Sequence, residues 1–121
     1  MIEPADLRFD RLDGIPIARL SGEVELSNAA GLRRALIDSV SNEDSALVID
    51  LDGVTYLDSA GIRMLFTLQR KLTDRRQRLA IVLASHSPVR RSLELSGVLA
   101  TIPVFETTSE ARLREIGRAH V

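Results

Sequence analysis

Three observations in the sequence predict an α/β domain built on a mixed, mostly parallel sheet. Two continuous apolar runs, Ala46-Leu47-Val48-Ile49 and Leu79-Ala80-Ile81-Val82-Leu83, suit strands covered on both faces. Segments with apolar residues at helical spacing separate and follow these runs, so helices join the strands. Strand-helix-strand connections are right-handed crossovers, which makes the joined strands parallel. A length of 121 residues fits one domain, expected to span 1–121 with its core at 5–116 and a frayed tail at 117–121.

The elements follow in order. Asp6 to Ser21 reads as a hairpin: Leu7 and Phe9 alternate with charged residues, Asp13-Gly14 turns, and Ile15, Ile17 and Leu20 return. Pro16 has no N–H for a ladder, which puts it near a strand start or an edge. Ser27 or Asn28 caps a first helix, with Leu32, Ala35, Leu36 and Val40 on one face. After the Ala46–Ile49 run, Asp52-Gly53 reads as a tight turn and Val54 to Leu57 is apolar again. Asp58-Ser59 opens a second helix along Ile62, Leu65, Phe66, Gln69 and Leu72. Ser87 caps a third helix with Pro88 in its first turn, and Gly97 ends it. Ile102 to Phe105 is a short strand, and Ser109-Glu110-Ala111 begins a last helix running to about Ile116.

Composition excludes several classes. Hydrophobic residues make up 45% of the chain and aromatics 3%, so the core is aliphatic. A net charge of −1 gives no generic attraction to nucleic acid or to an anionic membrane. With no Cys there is no thiol nucleophile and no thiolate metal site. The start, Met-Ile-Glu-Pro-Ala-Asp, lacks the basic and apolar regions of a signal peptide, and no apolar run approaches a membrane span. The expected location is the cytoplasm. Charge is uneven, with five acids and no base over residues 43–58 and eight bases and one acid over 63–91, a pattern of solvated faces.

Two segments invite an enzymatic reading. Leu47 to Val54 resembles the opening motif of haloacid-dehalogenase-type phosphatases, with Asp50 as nucleophile and Asp52 as acid/base. That chemistry needs later acidic metal ligands, and no Asp follows Asp74. Ser59 as a hydrolase nucleophile would need Gly two residues earlier, where Leu57 stands. Its possible base partners are only His86 and His120. Neither reading holds, and the expectation is a non-enzyme without metal or cofactor. Asp58 and Ser59 alone are ordinary caps. Yet a helix start also presents free N–H groups and partial positive charge, where a serine phosphate is tolerated.

Three motifs carry a family resemblance: Gly22-Glu23-Val24-Glu25, the stretch Leu47 to Gly61 ending in Asp58-Ser59-Ala60-Gly61, and Ser87 to Val98. Together they resemble an anti-anti-sigma factor, or anti-sigma factor antagonist, of the STAS domain family, over about Ala5 to Ile116. The resemblance implies a STAS-like single domain, with about four or five strands and about four helices mainly on one side. It also implies a partner switch. Such a protein binds an anti-sigma factor that is a serine kinase, thereby freeing a sigma factor. The kinase phosphorylates the position held here by Ser59, the complex parts, and a metal-dependent serine phosphatase resets it. The partner-binding positions would be Glu23, Glu25, Asp58, Ala60, Gly61, Ile62 and Arg63. The alternative is a STAS scaffold subunit of a transport or lipid-trafficking complex. Some positions depart from the family pattern. Glu25 stands where Asp is usual, Ala60 replaces a frequent Ser or Thr, Arg63 replaces a small residue, and the usual Gly before the fourth strand is absent, with Gln77 nearby.

Overall fold

The computed structural model describes residues 4–119. Among them five strands and five helices follow one another: β1 (Asp6–Leu12), β2 (Ile15–Val24), α1 (Ala29–Asp38), β3 (Ala46–Leu57), α2 (Ser59–Asp74), β4 (Arg78–Val82), α3 (Arg90–Leu95), α4 (Val98–Thr101), β5 (Val104–Phe105) and α5 (Thr108–Ala119). The strands form one mixed sheet in chain order, β1-β2-β3-β4-β5. Only β1 runs antiparallel to its neighbour.

The hairpin forms as expected. Asp13 (φ 53°) and Gly14 (φ 80°) make a two-residue turn with two left-handed residues, whose twist matches the strands. Each later strand pairs with its predecessor through a helical crossover. Alternation along the two apolar runs then fills both faces of the sheet. Ala18, Leu20, Leu47, Ile49, Leu79 and Ile81 face a core closed by α1 to α4, with Leu36, Leu65, Leu68, Leu93 and Val98. Ile17, Val48, Ala80 and Val82 form a second cluster with Ala111 of α5. Four helices on one face and one on the other is the arrangement expected, with α4 as an addition.

Several boundaries differ from expectation, each for a local reason. Asp52-Gly53 is not a turn: β3 continues through it. Arg19 pairs with Asp50 but Ser21 with Gly53, and Gly22 pairs with Val54 but Glu23 with Tyr56, so β3 carries two extra residues against β2. Such bulges re-aim the side chains. They let Leu51, Val54 and Leu57 all be buried at a spacing of three, where a regular strand would alternate. Val40 is buried but lies past the end of α1. The helix after Pro88 starts two residues late, at Arg90, because the Ser87 hydroxyl accepts from Val89 N (3.3 Å) in a turn of its own. Gly97 (φ 87°) ends α3, and Val98 then begins the separate short α4. The last helix begins at Thr108 rather than Ser109, with the Thr107 hydroxyl accepting from Glu110 N (3.1 Å). Residues 117–119, expected to fray, continue α5. The rest of that tail and His120 lie outside the described residues.

The absent glycine before the fourth strand has a structural counterpart. Arg76 adopts φ 59°, and the α2 terminus closes with Arg76 N donating to the Thr73 carbonyl (2.9 Å) and Gln77 N to the Leu72 carbonyl (2.8 Å). This is the helix end at which glycine is usual, because a Cβ strains the left-handed position. Arg76→Gly is therefore expected to raise stability by about 1 kcal/mol, read by urea denaturation.

Asp44 anchors the loop before β3. It takes both Nη atoms of Arg11 (2.9 and 3.0 Å) and Ser41 N (2.8 Å). The Arg11 guanidinium holds the Asp44 carboxyl below the usual carboxylate range. A lowered folded value means stability that is present above the unfolded pKa, about 3.9, and lost as pH falls through the folded one. Asp44→Asn is expected to cost about 1 kcal/mol at neutral pH. The gap from wild type should close below the ordinary carboxylate range, as thermal melts across pH would show.

Candidate functional site

The site is the start of α2 and the loop that leaves β2. Asp58 holds an extended backbone (φ −90°, ψ −173°) at the N-cap of α2. One of its carboxylate oxygens accepts from Gly61 N (3.0 Å) and the other from Leu26 N (3.0 Å). Its own N–H donates to the Val24 carbonyl (3.2 Å). A single residue thus caps the helix and binds the β2–α1 loop to it. Ser59, the first helical residue, is exposed.

Asn28 shapes the loop from the other side. It occupies the N-cap of α1, but its side chain caps nothing there. Its oxygen accepts from Glu25 N (2.9 Å) and its amide donates to the Glu23 carbonyl (2.9 Å). The Ser27 hydroxyl donates to a Glu25 carboxylate oxygen (2.6 Å). Glu25 is therefore presented beside the α2 start in a defined turn. Glu23, the other acid among the partner-binding positions that the resemblance implies, does not share that loop. It belongs to β2, opposite Tyr56, and one of its carboxylate oxygens is buried without a hydrogen-bond partner among the described residues.

Ala60, Gly61, Ile62 and Arg63 follow Ser59 in the first turns of α2. Gly61 is buried against β2 and β3: a Cβ there would lie 2.6 Å from Leu57 Cδ2 and 3.2 Å from the Val24 carbonyl oxygen. Gly61→Ala is expected to destabilise by about 1–3 kcal/mol, despite the better helix propensity of Ala, because α2 must shift away from the sheet. Chemical denaturation with circular dichroism would measure this. Ala60 and Arg63 instead line a shallow cleft of about 210 Å³ between α1 and α2, with Leu26, Ala29, Arg33, Met64 and Thr67. Leu26 is 81% exposed, an apolar side chain held out into water at the rim.

Sequence reasoning missed Leu26, Arg33 and the clamp role of Asn28. A leucine inside the polar stretch Glu25-Leu26-Ser27-Asn28 was the available signal for the first. The two acids weighed as a phosphatase pair are engaged with backbone. Asp50 accepts from Asp52 N (2.9 Å), and Asp52 accepts from Ala84 N (2.7 Å) beyond β4. Burial pushes the Asp50 carboxyl up. Among the described residues no group of three His, Cys, Asp or Glu side chains could hold a metal ion, and no helix is long and apolar enough to cross a membrane.

Comparison with known proteins agrees with this architecture. The STAS domain model matches residues 6–111. BtrV of Bordetella bronchiseptica is 34% identical over 106 residues, 87% of this chain and 90% of its own length. The anti-sigma-F factor antagonist RsfB of Mycobacterium tuberculosis is 32% identical over 99 residues, 82% of this chain and 80% of its own. A crystal structure of an anti-sigma factor antagonist from Mycobacterium paratuberculosis superposes with a TM-score of 0.81 at 28% identity, covering 93% of this chain and 94% of that one. With a model match across most of its length and relatives above 30% identity, the chain belongs to the STAS domain family.

Proposed function

We propose that this protein is an anti-sigma factor antagonist switched by phosphorylation of Ser59. The observation that carries the reading is the exposed Ser59 hydroxyl at the α2 start, beside a loop that Asp58 fastens to that helix. The unphosphorylated surface would present Glu25, Leu26, Ala60 and Arg63 to the anti-sigma factor, with Glu23, Gly61 and Ile62 supporting it from the strand and the helix. Binding sequesters the anti-sigma factor and frees its sigma factor. The partner, acting as a serine kinase, transfers the γ-phosphoryl of ATP to the Ser59 oxygen, and the serine proton leaves to a base on the kinase. The new charge, about −1.5 to −2, sits beside Asp58 and Glu25 and opposes rebinding. A serine phosphatase restores the hydroxyl.

In this role the domain is a substrate and a ligand, without catalysis of its own, and it works in the cytoplasm where the transcription machinery is. The relatives named anti-sigma factor antagonists support this over the scaffold reading. The test is incubation with the purified anti-sigma partner and ATP, followed by mass spectrometry. One phosphoryl group should map to Ser59, and none should be gained by Ser59→Ala, which should still bind. Modification elsewhere with Ser59 untouched would overturn the switch.

A further inference from the structure

Among the described residues the sheet has one long unprotected edge. There β1 contributes seven residues and is bonded only to β2, whereas the opposite edge, β5, has two residues. Asp6, Arg8, Phe9, Asp10 and Arg11 are all exposed, and Phe9 is 50% accessible at the strand centre. The two-residue turn makes Leu12 and Ile15 a hydrogen-bonded pair, so the peptide groups of Leu7, Phe9 and Arg11 point away from β2. Arg11 N, turned outward, indeed donates to the adjacent Asp10 carboxylate (2.8 Å) rather than to β2.

We propose that this edge pairs with the β1 edge of a second copy of the chain, the two strands lying antiparallel about Phe9. Charge selects the occupant, and charge together with strand length selects the register. Centred on Phe9, the pairing sets Arg8 opposite Asp10 of the second copy, and Asp10 opposite its Arg8. Phe9 meets Phe9, and Leu7 lies opposite Arg11. Centring on Arg8 or on Asp10 would set like charge against like. The two sheets thus join as one across a two-fold axis, and the contact is self-complementary.

Charges on an edge strand commonly serve to block such pairing. Here their alternation in sign, Asp6, Arg8, Asp10, complements itself about Phe9, the register that also pairs the whole of β1; centring on Leu7 matches charge too but pairs only Asp6 to Arg8 of the strand. The ion pairs that now hold these side chains, Arg8–Asp6 at 3.2 Å and Arg19–Asp10 at 3.3 Å, are solvent-exposed and exchange readily. Ser59 stands beyond β3, away from the seam, so a dimer would carry two accessible copies of the site. The inference does not depend on what Ser59 binds.

Sedimentation velocity from about 1 μM to about 1 mM tests it, with the mass expected to rise from one chain toward two. Arg8→Asp and Asp10→Arg should each weaken the dimer about tenfold or more, since each puts like charges at both crossings. Mixing these two chains restores opposite charges at both crossings and should give a heterodimer. The doubly exchanged chain should self-associate like wild type. Far-ultraviolet circular dichroism checks that each variant is folded, and Phe9→Lys gives an independent disruption. A wild type that stays monomeric, a dimer insensitive to the single exchanges, or a mixture that fails to associate would each overturn the proposal.

Discussion

Phosphorylation of Ser59, or its replacement in Ser59→Asp, is expected to lower affinity for the anti-sigma partner by about tenfold to a thousandfold. Two unit charges of like sign about 4 Å apart repel by about 1 kcal/mol in water and about 4 kcal/mol at an intermediate dielectric. Every 1.4 kcal/mol is about tenfold. The site sets where in this range the effect falls. Asp58 already occupies the Gly61 N–H and the Leu26 N–H, so part of the positive helix end is neutralised before a phosphate arrives. Arg63, one turn along the same exposed flank, acts the other way, since residues four apart on a helix are neighbours. Arg63→Ala should therefore deepen the loss in the phosphorylated protein and leave the unphosphorylated one less affected. Ser59→Ala should fold and bind as wild type, because Asp58 provides the cap. Calorimetry of the three forms against one partner reads the result. Equal affinities would reduce Ser59 to a helix residue without a switch.

Arg78→Met is expected to destabilise the fold by about 3 kcal/mol or more, and the reason lies on the second face of the sheet. Glu115 of α5 is 1% exposed. Arg78 Nε donates to its Oε2 at 2.9 Å, with Nη2 at 2.8 Å from the same oxygen. Removing the arginine leaves a buried carboxylate with no partner, the costly half of a broken buried pair. The reverse change is milder. Arg78 keeps about a third of its side chain in water and can extend further when Glu115→Leu removes its partner. The combined replacement, Arg78→Met with Glu115→Leu, should return to within about 1 kcal/mol of wild type. Urea denaturation of the four proteins makes a double-mutant cycle. A loss well under 1 kcal/mol for Arg78→Met would mean that the end of α5 swings Glu115 into water.

These two sites were unequally legible in the sequence. The element order, the parallel pairing and the two-faced burial followed from apolar runs that periodicity identifies directly, as at Ala46–Ile49 and Leu79–Leu83. Asp58 as a cap was equally plain, but its second oxygen on Leu26 N joins residues 32 positions apart, and local pattern carries no sign of it. The two bulges of β3 exist only relative to β2, so Asp52-Gly53 reads locally as a turn. Asn28 shows the same effect, because its cap position is local while its bonds to the Glu23–Glu25 backbone depend on the path of the loop. Glu115 was hidden for a different reason. A charged residue in a helix otherwise rich in charge looks solvated, and only the sheet beneath α5 reveals Arg78 as its partner.

The chain-order arrangement of the strands bears on how the protein folds as it is made. Every strand after the first pairs with the one synthesised just before it, so no strand must wait for a distant partner. Loop closure for each pairing spans one hairpin turn or one helical connection, which keeps the topological barrier low for a parallel sheet. The hairpin Asp6–Val24 can form first at the ribosome, and β3 and β4 can each add to the growing edge as they emerge. That moving edge is shielded last, by the two-residue β5, and Ile17, Val48, Ala80 and Val82 remain uncovered until α5 has left the exit tunnel. The second face thus closes only once α5 is available, and a chain stalled before Ala111 would expose an aliphatic strip to the chaperones rather than a finished domain.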